Sequence, residues 1–391
     1  MINASFHRAT RRFPVLTACS AAILLAGCSP DTTGDATRTA ASLTAVTRHL
    51  YVSPYGADGN PGSQDAPFRT LNRAGAAATP GTTVHVAPGA YPGNVTTQTS
   101  GTAIACISFV SDSKWGARIT GAGNGAMWTN DGNYVDITGF DITGPGRLGV
   151  LNNGSDTLIA NNHIHDLAIS GGCTGSGGAA VVNAAYGAAN GDIIGNVVHD
   201  IGAPGACNGV QGLYSSNRGG KIMNNIVYRV SAYGIHLWHA ATDAVISNNT
   251  VFANGSAGMG GGILIGAGDA PGGIQLNNTK VMNNIVYDNP RSGIKEYCSG
   301  GESCIGTGNV VSNNLVSGSA TPVTMRVGSA TGTIGGDPQF VSYNPAGAGD
   351  YRLRSGSPAA NRSTTAWAPL VDILGVARTN GAVDLGAYES L

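Results

Sequence analysis

Two side chains in the second half of the chain, His236 and Lys295, are of types that can take a proton from carbon. Arg229 and Arg291 are fixed cations, able to neutralise a carboxylate and stabilise the enolate-like charge that builds as a neighbouring proton leaves. Tyr214, Trp238 and Tyr297, with His239 in an adjacent turn, offer ring faces that pack on the apolar faces of cyclic ligands. Asp166 and Asp200 form a second group. If stacked one strand spacing apart, these like charges need relief from Arg229, from a raised pKa, or from a hard cation such as calcium. The chain holds only three Glu, Glu296, Glu302 and Glu389. That makes a pair of carboxylates placed for hydrolysis the weaker expectation.

These residues meet only if the chain stacks its segments in register, and a repeat supplies that register. The phrases IANNHIHD, IIGNVVHD, IMNNIVYR, ISNNTVFA, VMNNIVYD and VSNNLVSG place Asn162, Asn196, Asn225, Asn249, Asn284 and Asn314 at equivalent positions. By subtraction their spacings are 34, 29, 24, 35 and 30 residues, about one coil of a β-solenoid each. Short β-branched runs broken by Asn and Gly lack the i, i+3, i+4 spacing of an amphipathic helix and predict strands. The fourth-place Asn suits a turn that tolerates left-handed dihedrals, and stacked amides can bond along the column as coils rise by about 4.8 Å. A leucine-rich repeat would require Leu at several fixed places, where this chain has Val and Ile. The Gly144-x-Gly146-x-x-Gly149 spacing opens no helix and is a chance match.

The strand after each phrase aligns as Gly149–Asn153, Gly212–Ser216, Gly234–Trp238, Gly262–Gly266 and Gly293–Tyr297. With Ile235, Ile263 and Ile294 inward, one outward column reads Leu151, Tyr214, His236, Leu264, Lys295. The next outward column reads Asn153, Ser216, Trp238, Gly266, Tyr297. On the other face, the phrase ends give His165, His199, Tyr228, Phe252, Tyr287, followed by Asp166, Asp200, Arg229, Ala253, Asp288.

Composition fits a tightly turning chain of low charge. Gly makes up 60 of 391 residues, charged residues 11%, and the net charge is −1. Basic residues are scattered, which excludes a nucleic-acid-binding field. The N-terminus carries His7, Arg8, Arg11 and Arg12, then an apolar run from Phe13 to Ala26 that falls short of the roughly 20 residues needed to span a bilayer. Leu25-Ala26-Gly27-Cys28 resembles the bacterial lipoprotein cleavage box. That resemblance implies removal of residues 1–27, acylation of Cys28, and anchoring in outer-membrane lipid by residues 28–47 as a flexible tether. Export permits disulfides. Cys298 and Cys304 bracket a short segment, Cys173 and Cys207 occupy similar Gly-rich segments one repeat apart, and these two pairings are the expectation. Cys106 is expected to be a small buried residue.

The whole mature chain resembles the right-handed parallel β-helix repeat proteins of the pectate lyase-like superfamily. The resemblance rests on YVSPYGADGNPGSQDAPFRTLNRA at 51–74, TPGTTVHVAPGAYPGNV at 79–95, DPQF at 337–340, DYRLRSGSPAAN at 350–361, DILGVAR at 372–378 and DLGAYE at 384–389. It implies an all-β solenoid over 48–335, capped by a short helix at Leu71 to Ala78, and closed by residues 336–391. It also implies a monomeric exported protein of the cell envelope with a polysaccharide partner. β-Elimination or C5 epimerisation of an acidic polysaccharide is the leading activity, with Lys295 or His236 as base and Arg229, Arg291 or a bound calcium facing the carboxylate. A non-catalytic glycan-binding or envelope structural protein is the alternative, because no catalytic string of these families transfers residue by residue.

Overall fold

A computed structural model describes residues 46–169, 177–202, 209–256, 258–268, 273–299, 304–378 and 382–390. The chain winds through three parallel sheets of 11, 9 and 9 strands, visiting each in turn. In one coil Thr157–Ala160 lies in the first sheet, His163–Ala168 in the second and Gly178–Asn183 in the third, before Gly191–Ile194 returns to the first. Among the described residues no helix is long and apolar enough to cross a membrane.

The β-branched positions of each phrase build the interior. Ile159, Ile193, Ile222, Ile246, Val281 and Val311 line it from the first sheet, and Ile164, Val198, Val227, Val251, Val286 and Val316 from the second. Ile235, Ile263 and Ile294 do so from the third, as expected, and each is fully buried. Trp128 fills the early coils, edge-on to Phe109 and Phe140. The cap is the helix Leu71–Ala77, whose N-cap Thr70 accepts a hydrogen bond from the Arg73 amide and buries Leu71 and Ala74 over the first coils.

The Asn column is a ladder. Asn162, Asn196, Asn225, Asn249, Asn284 and Asn314 are fully buried, and the Oδ1 of each of the last five accepts both the backbone N–H and the Nδ2–H of the rung before, at 2.9–3.1 Å. The left-handed residue of this corner is the neighbour instead: Asn161, Gly195, Asn224, Asn248, Asn283 and Asn313 have φ between 51° and 68°. The labour divides because one residue must reverse the backbone while the next points its amide inward. The phrase also ends on a second left-handed corner, at Asp166, Asp200, Arg229, Ala253, Asp288 and Gly318.

The C-terminal segment closes the solenoid by folding back along the outer face of the second sheet. Phe340, Tyr351, Leu353 and Leu385 pack on Tyr228, Phe252, Ile285 and Leu315. The outward third-place amides hold it: Asn224, Asn248 and Asn283 donate to the carbonyls of Val371, Asp384 and Thr364. Arg378 is buried there, bonded to Glu389 at 2.7 Å and to Asn224 Oδ1 at 3.1 Å.

Cys298 and Cys304 form a disulfide with Cα atoms 5.7 Å apart. Cys173, Cys207 and Cys28 lie outside the described residues. Cys106 is buried but disulfide-bonded, so it is a cross-link and not only an apolar filler.

Candidate functional site

The outward column of the third sheet has the expected register with one coil added within it and another at its end. Leu151, Val182, Tyr214, His236, Leu264, Lys295 and Thr324 are successive neighbours. The missing coil is Gly178–Asn183. Its Gly-Ala-Ala-Val-Val-Asn lacks the Gly-Ile-x-Leu form, yet Val181-Val182-Asn183 matches Val150-Leu151-Asn152 residue for residue, and that was the available signal.

Later coils of this face enclose a cleft of about 560 Å³ lined by Tyr233, His236, Trp238, Met259, Arg291, Lys295 and Tyr297 among others. Five of the expected residues therefore share one cleft: His236, Trp238, Arg291, Lys295 and Tyr297. Trp238 and Tyr297 stand two coils apart and still stack, with centroids 5.9 Å apart and planes 21° from parallel. Gly266 between them allows this, since a Cβ there would lie 2.5 Å from the indole ring. Lys295 Nζ sits 5.1 Å from the Tyr297 ring centroid. Among the described lining residues there is no carboxylate.

His236 occupies the cleft floor between Tyr214, Tyr233 and Trp238, with ring centroids 5.1–5.5 Å away. Both its nitrogens are buried without a hydrogen-bond partner. Burial, with a smaller electrostatic contribution from nearby His239, pushes its pKa down to about 3, so the imidazole is uncharged at neutral pH. It can stack and orient, but accepting a proton there means charging a desolvated ring. Tyr214 and His239 lie just outside the cleft, where His239 packs against Tyr186 at 4.6 Å and faces Tyr214 at 6.3 Å.

The other expected residues do not join this cleft. Arg229, Asp166 and Asp200 stand at a left-handed kink within the second-sheet strands, on a different face of the coil. Arg229 is ion-paired with Asp200 and lies over Tyr228 at 4.9 Å, so it cannot face a ligand carboxylate beside Lys295. Asp166 accepts from His165 Nδ1 at 2.6 Å and Asp200 from His199 Nδ1 at 2.6 Å. A calcium ion needs six or more oxygens. These two carboxylates are instead turned to imidazoles and a guanidinium, an arrangement that does not fit that ion.

Sequence reasoning missed what surrounds them. Alternation along His163-Ile164-His165 puts both imidazoles on the outer face beside His199, and Asp141 from the previous coil lies under them. Asp141 Oδ1 is 3.2 Å from His163 Nδ1 and 2.8 Å from His165 Nε2, while Arg118 donates to its Oδ2 at 2.6 Å. Burial alone would raise the Asp141 carboxyl, but these hydrogen bonds outweigh it and hold the group far below the usual carboxylate range. Asp200 is held down in the same way, burial being outweighed by His199 and Arg229.

Residues 106–330 match the family described as right handed beta helix region, and residues 55–99 match a protein family of unknown function, DUF1565. No match was found among curated protein sequences. Among solved structures, pectate lyase Pel9A is similar at 17% identity and a TM-score of 0.60, covering 93% of this chain and 100% of that one. The GH136 lacto-N-biosidase from Eubacterium ramulus is similar at 14% identity and a TM-score of 0.50, covering 74% of this chain and 68% of that one. With the family match spanning most of the coils and the three-sheet winding that carries it, this chain belongs to the right-handed β-helix family.

Proposed function

We propose that this is an exported carbohydrate-active protein that binds an acidic polysaccharide in the third-sheet cleft and cleaves it by β-elimination. The observation that carries this reading is the convergence of Arg291, Lys295, Trp238 and Tyr297 on one cleft without a carboxylate among its described lining residues. The stacked Trp238–Tyr297 pair gives a platform for pyranose faces. Arg291 then neutralises a uronate carboxylate, the Lys295 amine in its uncharged form takes the adjacent C5 proton, and the C4–O bond breaks as the C4=C5 double bond forms, the departing oxygen taking a proton from solvent. His236 forms the neutral floor and fixes the ring plane. A retaining or inverting hydrolase needs two carboxylates across the scissile bond, and none lines this cleft among the described residues. Residues 1–27 are removed on export, and acylated Cys28 with residues 28–47 tethers the monomer to the cell envelope.

The test is incubation of the purified mature chain with pectate, alginate and glycosaminoglycans, with and without calcium, while following absorbance of unsaturated uronates. New absorbance that disappears in Lys295→Ala supports the lyase. Retention of an acidic glycan without new absorbance on any substrate assigns the cleft to a non-catalytic binder, which the desolvated, unpartnered His236 floor would equally suit. Neither turnover nor retention rejects both.

A further inference from the structure

Outside the cleft, the outer face of the second sheet carries three half-buried imidazoles in contact. His163 and His165 sit two residues apart on one strand, and His199 on the next coil. One nitrogen of each ring lies within 4.8 Å of one nitrogen of both others. We propose that His163, His165 and His199 form a binding site for a divalent transition-metal ion of the Zn²⁺ class, with Asp141, Asp166 and Asp200 as its orienting groups.

The ring orientations carry the argument. Asp200 takes the Nδ1–H of His199 at 2.6 Å, and Asp141 lies 3.2 Å from His163 Nδ1. With the proton on Nδ1 in both rings, each Nε2 presents a lone pair, and these two atoms face each other 2.8 Å apart. Two lone pairs at that separation repel, and a cation between them turns repulsion into coordination. An imidazole whose far nitrogen is fixed by a carboxylate is the usual form of a metal-ligating histidine. At about 2.0–2.1 Å from each nitrogen, a zinc-like ion spreads the pair by only a few tenths of an ångström.

His165 completes the set by exchanging one contact. Its two nitrogens donate to Asp166 and Asp141, and when the ion displaces the Nε2 proton to solvent the contact with Asp141 is released and Nε2 can ligate, while Asp166 still holds Nδ1–H. Asp141 keeps Arg118 and His163. Once that proton has left, the three carboxylates face only the guanidiniums of Arg118 and Arg229, and one negative charge is left for the ion. Imidazole donors select zinc, copper or nickel over calcium. Three protein ligands leave a fourth position for a small ligand from solvent.

The experiment uses the untagged full chain after chelator dialysis, titrated calorimetrically with ZnCl₂ alone. Saturation by a single Zn²⁺ is expected, with a metal-dependent rise in melting temperature. Asp200→Asn should weaken binding about 10–100-fold, the usual cost of losing an orienting group, and the double substitution His163→Ala/His199→Ala should weaken it further. His49→Ala/His85→Ala, which removes the stacked pair 2.9 Å apart near the N-terminus, should change nothing. Visible bands of nitrogen-ligated Co²⁺ in the wild type give a readout that survives if the double variant fails to fold. Absence of saturable binding in the wild type, which leaves a shared proton between the two rings, overturns the proposal. Equal binding in a folded double variant overturns it as well.

Discussion

Substituting Asn249 by Ala should unfold this protein more readily than any comparable change at the same corner. The Asn249 Oδ1 accepts the Asn225 backbone N–H at 3.0 Å and its Nδ2–H at 2.9 Å. Its Nδ2 donates to the Ile222 carbonyl at 2.8 Å and to Asn284 Oδ1 at 2.9 Å. Alanine keeps the bond from the Asn249 backbone N–H to Asn284 but orphans the Asn225 N–H, which is fully buried. One orphaned buried donor costs about 1–3 kcal/mol, and the three further bonds lost cost about 1 kcal/mol net each, giving roughly 4–6 kcal/mol. Asn248→Gly is the matched control. It loses two buried bonds, its Nδ2–H to the Asp384 carbonyl at 3.0 Å and the Ser247 hydroxyl to its Oδ1 at 2.8 Å, but preserves the left-handed corner, as Gly195 does in the second phrase, so its cost should be about 2 kcal/mol. Guanidinium unfolding followed by far-ultraviolet circular dichroism and tryptophan fluorescence measures both, and equal slopes validate the comparison. If Asn249→Ala costs less than about 1 kcal/mol, or no more than Asn248→Gly, buried amide stacking is not what keeps the coils in register.

Gly266→Ala should leave the sheet signal intact but weaken glycan retention, because the new methyl displaces the Trp238 ring from Tyr297; unchanged retention would remove that stack from the binding platform. Arg378→Ala should cost about 3–5 kcal/mol by leaving Glu389 buried and unpaired, read as a fall in the denaturation midpoint. For Asp141 and Asp200 the folded pKa lies below the unfolded value of about 3.9. Their stabilisation is therefore present above pH about 4 and is lost as pH falls further, so Asp200→Asn should flatten the acid limb of the stability curve. Cys28→Ala should move the protein from the membrane fraction to the soluble exported fraction, and unchanged fractionation would reject lipid anchoring.

Much of the scaffold was legible because its physics is periodic. A buried amide column can recur only where coils stack, so Asn162 to Asn314 gave the winding and, through it, the neighbours of His236 and Lys295. What escaped was aperiodic. The coil at Val182 was hidden by small residues in place of the usual Ile. The cluster of His163 with Asp141 was hidden because Asp141 belongs to a strand, Asp141–Pro145, that lies before the first recognisable phrase. The assignment of the left-handed corner to the fourth-place Asn failed for a different reason: Asn suits both a reversed backbone and a buried amide, and composition cannot say which of two adjacent Asn does which. Arg229 was offered as a partner for Lys295 on its charge alone, although its strand, Ile226–Val230, belongs to the second sheet and that of Lys295, Ser292–Cys298, to the third.

The clasp along the flank has a consequence for assembly. Tyr228, Phe252 and Tyr287 form a continuous oily stripe, and Phe340, Tyr343 and Tyr351 are its built-in cover. A chain that winds its coils from the N-terminal end has stacked them before its last fifty residues are in place to shield them. Completion of the tail is thus the moment at which a sticky flank is covered, and any truncation upstream of Phe340 should yield fibres or clumps rather than a shorter protein.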